Sequence, residues 1–225
     1  MLDQLVIGDK ASLDDYGASV SSRTISQPKK KEIKETIPFS NVTYDFSAIN
    51  GELYWEEREL KYVFEITANT PQKLEEMKDA FAAWVMNVIN EKIFDPFIKD
   101  YHFVGTYSDM DFEDEEHLEK TTATVKFMAY PYKIANDIKE YKQTISAGGS
   151  ATIVVVNNSN HRLSPTITVT EACSITFNDI TYTIPAGKYT GDGLWLVVGE
   201  NAFIVKNASS STDCAITISF YEEVF

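Results

Sequence analysis

Three histidines, two cysteines and 34 acidic side chains are the groups in this 225-residue chain that could do chemistry, and their spacing decides whether they do. His102, His117 and His161 are too far apart in sequence for the three- or four-residue spacing that puts two metal ligands on one helix face. They read as ordinary strand and turn residues. Cys173 and Cys214 lie in no Cys-x-x-Cys pattern and are too few for a disulfide framework. We expect a reduced, buried pair, able to close one bridge if the Cα atoms lie within about 7 Å. The acidic run from Asp109 to Glu116 has the carboxylate density of a calcium loop, but Asp114 stands where an EF-hand needs glycine and Lys120 where it needs a bidentate glutamate. A solvated hairpin tip is the simpler expectation. Gly191 and Gly193 start a dinucleotide-type pattern that fails at Leu196 and runs into a β-patterned segment instead of a helix. Adjacent pairs such as Glu56-Glu57 and Glu75-Glu76 are expected in an acidic chain, and a glycosidase needs two carboxyls about 5 to 9.5 Å apart across a cleft. The sequence therefore assigns no catalytic residue, no metal ligand and no cofactor, and the expectation is a protein that is not an enzyme.

Binding is the other possibility. A formal net charge of −14, from 20 basic and 34 acidic side chains, removes the general attraction to phosphate on which nucleic-acid and anionic-membrane binding rely. The apolar runs, such as Ile153 to Val156 and Leu194 to Val198, are all far shorter than the roughly 18 residues that span a bilayer. The N-terminus carries Asp3 where a secretory signal needs basic residues, so a soluble protein made in the cytoplasm is expected. Within the β-patterned second half, Trp195 with Asn157 and Asn158 could form a sugar site, the ring stacking and the amides bonding hydroxyls. A core role for Trp195, inside the run from Leu194 to Val198, is the simpler expectation.

The elements that would position such groups fall into two regions. Residues 1–140 hold 16 basic and 27 acidic side chains, whereas 141–225 hold 4 and 7 and are crowded with Thr, Ser, Asn, Ile and Val. A boundary near 131–142 follows, giving domains 1–135 and 136–225. In the first, a short strand at Leu2 to Ile7 precedes a polar stretch from about Asp9 to Thr36, too long for an ordinary loop. It carries Lys29, Lys30 and Lys31, readable as a solvated turn or as a basic arm that docks on the acidic face of a neighbouring copy. Leu60, Tyr62, Phe64 and Ile66 alternate with polar residues as a half-buried strand does. Thr70-Pro71 then supplies a helix cap and a first helical residue. Leu74, Met77, Phe81, Trp84, Val85, Val88 and Ile89 form the apolar stripe of one long helix ending before Asp95-Pro96. Strands at Tyr101 to Tyr107 and Thr121 to Tyr130, joined by the acidic turn, complete an α+β domain: an antiparallel sheet with one long helix laid across it.

The second region has no helical period. Beyond a hairpin turn expected at Gly148-Gly149, short β-patterned runs recur at Ala151 to Val156, Thr166 to Thr170, Ser174 to Phe177, Ile180 to Ile184, Leu194 to Val198, Phe203 to Lys206 and Ala215 to Tyr221. That density of short strands predicts an antiparallel β-sandwich.

Taken in order, these features resemble the distal tail proteins of siphophages and related prophages. The resemblance rests on Pro28 to Lys31, on Asp45-Phe46-Ser47, on Tyr54-Trp55 and Arg58 ahead of the strand into Phe64, on the helix with Leu74 and Trp84, on Asp100-Tyr101, and on Phe127 to Tyr132 with its closing Pro131-Tyr132. The chain departs from the family at Asn41 to Asp45, where a glycine-rich turn is common. The resemblance implies an N-terminal ring-forming belt domain, a galectin-like C-terminal sandwich, and a sixfold ring at the tail tip. Its partners would be copies of itself, the tail tube protein, the tape measure protein and the tail-associated fibre or lysin, with host surface glycan as a further ligand. It places the protein in the virion, with Lys29, Lys30, Lys31, Lys34 and Arg58 expected at the subunit contact. The alternative is a carbohydrate-binding module whose sandwich is the working part.

Overall fold

The structure is a computed structural model that describes residues 4–48, 51–115, 119–191 and 193–225. Two compact units are present, Met1–Lys133 with Phe225, and Ile134–Val224.

The first unit contains strands β1 (Val6–Ile7) and β2 (Lys10–Ala11), helix α1 (Ser12–Tyr16), strands β3 (Ala18–Ile25), β4 (Lys34–Thr36), β5 (Thr43–Asp45) and β6 (Arg58–Thr67), helix α2 (Pro71–Met86), and strands β7 (Glu91–Phe94), β8 (Tyr101–Asp114) and β9 (Lys120–Ala129). Its sheet runs β2-β1-β7-β8-β9-β6-β3. The two-residue period of β6 puts Leu60, Tyr62, Phe64 and Ile66 on one fully buried face, beside Phe127, Val125 and Ala123 of β9. Helix α2 starts where expected: the Thr70 Oγ1 accepts the Lys73 N–H at 3.2 Å, and Pro71 needs no partner at the first position. Leu74, Phe81 and Val85 are its buried face, with Phe81 edge-on to Phe64 at 5.1 Å.

Four expectations for this unit need correction. Helix α2 stops at Met86, because Asn90 turns the chain at φ 54° into β7, leaving Ile89 exposed; Val88 stays in the core. The polar stretch after Asp9 is not structureless: α1, ended by Gly17 at φ 68°, leads into β3, which pairs with β6 from Ala18–Ile66 to Ile25–Leu60. A bulge between Val20 and Ser22 interrupts the two-residue period, which is why a Ser- and Thr-rich edge strand was hidden in the sequence. The acidic run is strand as far as Asp114, its carboxylates answered by lysines: Lys126 to Asp109 at 2.9 Å, Lys78 to Asp114 at 2.9 Å and Lys120 to Glu115 at 3.4 Å. The opening strand is only Val6–Ile7, with Leu2 and Asp3 outside the described residues.

The second unit contains β10 (Lys133–Ala135, whose first residue belongs to the first unit), β11 (Lys139–Ile145), β12 (Ser150–Asn157), β13 (Thr166–Val169), β14 (Cys173–Phe177), β15 (Ile180–Ile184), β16 (Gly187–Thr190), β17 (Gly199–Asn207), β18 (Cys214–Phe220) and β19 (Glu223–Val224). Two four-stranded antiparallel sheets, β11-β18-β13-β16 and β12-β17-β14-β15, share one core in which Val155, Ile175, Phe203, Val205 and Ile218 are fully buried. Strands β11 and β16 were not expected. Both are edge strands: β11 carries polar residues on both sides, and the four-residue β16 sends only Tyr189 toward the core, so no run of apolar alternation marks them. Ile180 is exposed for the same reason, since β15 is the edge of its sheet. The Gly148-Gly149 turn joins strands of opposite sheets and is therefore no hairpin. The run at Leu194 to Val198 is not a strand either; only Leu196 bridges, to Leu163.

Candidate subunit interface

After β3 the chain leaves the sheet at Ser26, whose hydroxyl donates to the Glu59 carbonyl at 3.0 Å and accepts the Glu59 N–H at 2.8 Å. It then runs out and back as a narrow ribbon. At the base, Lys30 bridges Trp55, with the Lys31 N–H donating to the Tyr54 carbonyl and the Glu56 N–H to the Lys29 carbonyl, both at 2.8 Å. Farther out β4 and β5 pair in the register Lys34–Asp45, Glu35–Tyr44 and Thr36–Thr43, and the Phe46 N–H donates to the Ile33 carbonyl at 2.8 Å. Phe39, at φ 66°, sits in the turn at the tip.

That register sorts the side chains. Lys34, Thr36, Thr43 and Asp45 share one face, while Ile33, Tyr44 and Phe46 share the other with Glu35. The polar face is answered within the ribbon: Lys34 pairs with Glu32 at 2.7 Å, and the Ser47 hydrogen bond holds the Asp45 carboxyl below the usual aspartate range. The apolar face is not. Ile33 is 46% exposed, Tyr44 45% and Phe46 39%, while Ile37, Val42 and Phe39 at the tip are exposed too. Tyr44 and Phe46 stack on each other at 6.3 Å. A two-stranded ribbon alone is marginal in water, and a contiguous exposed apolar surface of this kind marks a place where another surface docks.

The lysines singled out in the sequence lie on this ribbon. Lys29, Lys30 and Lys31 are exposed at its base and Lys34 on its polar face. Arg58 differs: it is only 2% exposed, with Nε and Nη2 buried without an acceptor and its guanidinium 5.7 Å from the Phe103 ring centre. Burial holds its pKa below the ordinary arginine value. In this conformation it offers almost no surface to a second copy, unlike the lysines of the ribbon. Sequence reasoning passed over the apolar residues, although Val42, Tyr44 and Phe46 show a two-residue spacing and Ile33 and Ile37 flank Glu35 on the same period.

The glycan candidates lie near one another in the fold but differ in exposure and in the contacts they already make. Asn157 is fully buried, its amide donating to the carbonyls of His161 and Leu196 at 3.1 Å each. Asn158 is exposed. Trp195 is 41% exposed rather than core, but the Arg162 guanidinium lies 4.6 Å over its ring and occupies one stacking face. His102 is buried beside Phe94, His161 pairs with Glu223 at 3.0 Å, and His117, like Asp192, lies outside the described residues. Among the described residues no three His, Cys, Asp or Glu side chains cluster as metal ligands would, and no helix is long and apolar enough to cross a membrane.

An antiparallel sheet crossed by one long helix, a projecting ribbon and a second unit of two facing sheets together make the fold of a phage distal tail hub. The crystal structure of the SPP1 Dit (gp 19.1) protein, a paradigm of the hub adsorption apparatus in phages that infect Gram-positive bacteria, matches over 98% of this chain and 99% of its own, with a TM-score of 0.69 and 14% identity. A chain of the phage P2 baseplate in its activated conformation with Ca matches over 97% and 98%, with a TM-score of 0.42 and 7% identity. No family model matches the sequence, and no curated protein sequence does. At 14% identity, what is shared with the SPP1 protein is the fold.

Proposed function

We propose that this chain is a structural component of a phage tail tip, acting as a ring of identical copies that joins the tail tube to the tail-associated fibre or lysin. One observation carries the reading: on a chain with a distal-tail-hub fold, the ribbon of residues 29–56 presents an apolar face that nothing in its own unit covers. A contact in which the ribbon of one copy lies on a different surface of the next is heterologous, and repeating it about a rotation axis closes a ring. The resemblance implies six copies. Lys29, Lys30 and Lys31 concentrate positive charge at the base of a ribbon that also carries acidic residues, with Lys34 paired to Glu32, so it is the base that is attracted to an acidic face of a neighbour. The tape measure protein belongs among the partners, the virion is the site of action, and the chain works without catalysis or cofactor.

Light scattering of the purified chain over a concentration series, with negative-stain images of the largest species, tests this. A closed ring is expected for the natural sequence, a monomer for Ile33→Ser with Tyr44→Ser and Phe46→Ser, and weakened, salt-sensitive assembly for Lys29→Glu with Lys30→Glu and Lys31→Glu. Ring formation by the apolar triple variant would remove the ribbon from the contact. A monomer at every concentration for the natural sequence would overturn self-assembly of the isolated chain and turn the next experiment to a glycan screen.

A further inference from the structure

We infer that Cys173 and Cys214 form a built disulfide site that ties the two sheets of the second unit together. The geometry comes from two crossings at one end of the sheets. Residues 170–172 carry the chain from β13, in one sheet, to Cys173 at the start of β14, in the other. Residues 208–213 carry it back from β17, where Asn207 is the register partner of Cys173, to Cys214 at the start of β18. The crossings run side by side. The Ala208 N–H donates to the Ala172 carbonyl at 3.0 Å, the Thr170 N–H to the Ala215 carbonyl at 3.0 Å, and the Ala215 N–H to the Thr170 hydroxyl at 2.9 Å.

Each crossing thus delivers one thiol to the shared core, from opposite sheets. Both cysteines are free and fully buried, and the Cys214 Sγ lies 3.6 Å from the carbonyl oxygen of Glu171, two residues before Cys173. The hydrogen bonds between the crossings thus bring the two cysteines side by side. Asn207 fixes the surroundings, its amide donating to the carbonyls of Thr212 at 2.8 Å and of Ile145 and Ser146 at 3.2 Å each. Partners held together before reaction need little backbone movement to bond, which is the main requirement of an unstrained disulfide.

The oxidant is a small-molecule disulfide. One cysteine, as thiolate, attacks a sulfur of that disulfide, breaking its S–S bond and releasing one small thiol; the second cysteine displaces the other small thiol from the mixed disulfide. The protein gains one S–S bond and loses two S–H bonds, while the oxidant is reduced to two thiols. The reaction is slow from the folded state: burial, then the neighbouring Cys214, pushes the Cys173 thiol up to about 11, so little thiolate is present at neutral pH. The turn at residues 210–213, next to Cys214, is exposed. The pair is therefore reduced in a cytoplasm and closes after prolonged exposure to an oxidising medium, whether or not the chain forms a ring.

The full chain, incubated with oxidised glutathione and then unfolded in an alkylating agent, tests this by intact mass and non-reduced peptide mapping. The expected product is unalkylated, lighter by two hydrogen atoms, and yields one peptide pair joined through Cys173 and Cys214. By calorimetry it unfolds at least about 5 °C above the reduced chain, because the cross-link restricts the unfolded state. Cys214→Ser should show neither the linked peptides nor the shift. Two alkylated cysteines, a retained glutathione adduct, linkage between chains, or a linked product with an unchanged midpoint would each overturn the proposal.

Discussion

The β6–β9 pair and the β4–β5 ribbon are built to the same local recipe and meet opposite fates. Both are antiparallel pairs in which apolar side chains alternate with polar ones. In β6 the apolar face is closed by β9, by α2 and by aromatic contacts such as Phe64 with Phe81, so Leu60, Tyr62, Phe64 and Ile66 lose all contact with water. In the ribbon Ile33, Tyr44 and Phe46 keep roughly 40% or more of their surface. Alternation specifies that a strand has a face to bury; it does not say which molecule buries it.

The sharpest way to break that comparison is on the buried side. Phe64→Ala should cost about 3–5 kcal/mol in urea unfolding, since it removes a fully buried ring and leaves a cavity. A loss below about 1 kcal/mol would show that the sheet core is as open as the ribbon. Arg58→Met probes the margin of the same strand. It exchanges a buried guanidinium without an acceptor on Nε or Nη2 for an apolar chain of similar length, and is expected to leave stability unchanged or raise it by about 1–2 kcal/mol. A large loss would mean that the Arg58 guanidinium is satisfied inside the folded chain.

Surface charge gives a smaller effect with a defined pH window. The Asp114 carboxyl is held below its ordinary value of 3.8 by the Thr121 hydroxyl and then by Lys78. A depressed carboxylate stabilises the folded state above that ordinary value and loses the contribution as the pH falls through the lower folded-state value. Asp114→Asn should therefore cost less than about 1 kcal/mol at neutral pH, the side chain being 33% exposed, and progressively less as the pH falls below 3.8. Smallest of all is the intrinsic stability change for Tyr44→Ser with Phe46→Ser in the monomer, expected within about 0.5 kcal/mol. The same double variant should abolish assembly, and this separation of stability from association is what distinguishes a docking face from a core.

Much of the first unit was legible because its central elements carry strong periods. Thr70-Pro71, the helical stripe up to Val85, and the alternation in β6 and β9 all reflect burial on one face, and burial on one face writes a repeat into the sequence. Edge strands write a weaker one. β3, β11 and β16 have polar residues at positions where a central strand would need apolar ones, and the bulge in β3 also shifts the period. The neighbours Leu194 and Leu196 predict Trp195 in the core, yet Leu196 is buried and Leu194 packs partly against the core while Trp195 faces out, because the segment is an irregular connection tied at a single bridge to Leu163.

The sequence by itself determined the acidic charge, the two contrasting regions, the long helix and the central strands, all of which depend on residue type and short-range spacing. Only the tertiary structure decided that Arg58 is buried while Lys29, Lys30 and Lys31 are exposed, that Asn157 uses its amide inside the second unit, and that Cys173 and Cys214, forty-one positions apart, meet across two sheets. The physical reason is common to all of them. Which long-range neighbour a side chain meets depends on strand register and on where the chain crosses between sheets, and a local pattern of apolar and polar residues constrains neither.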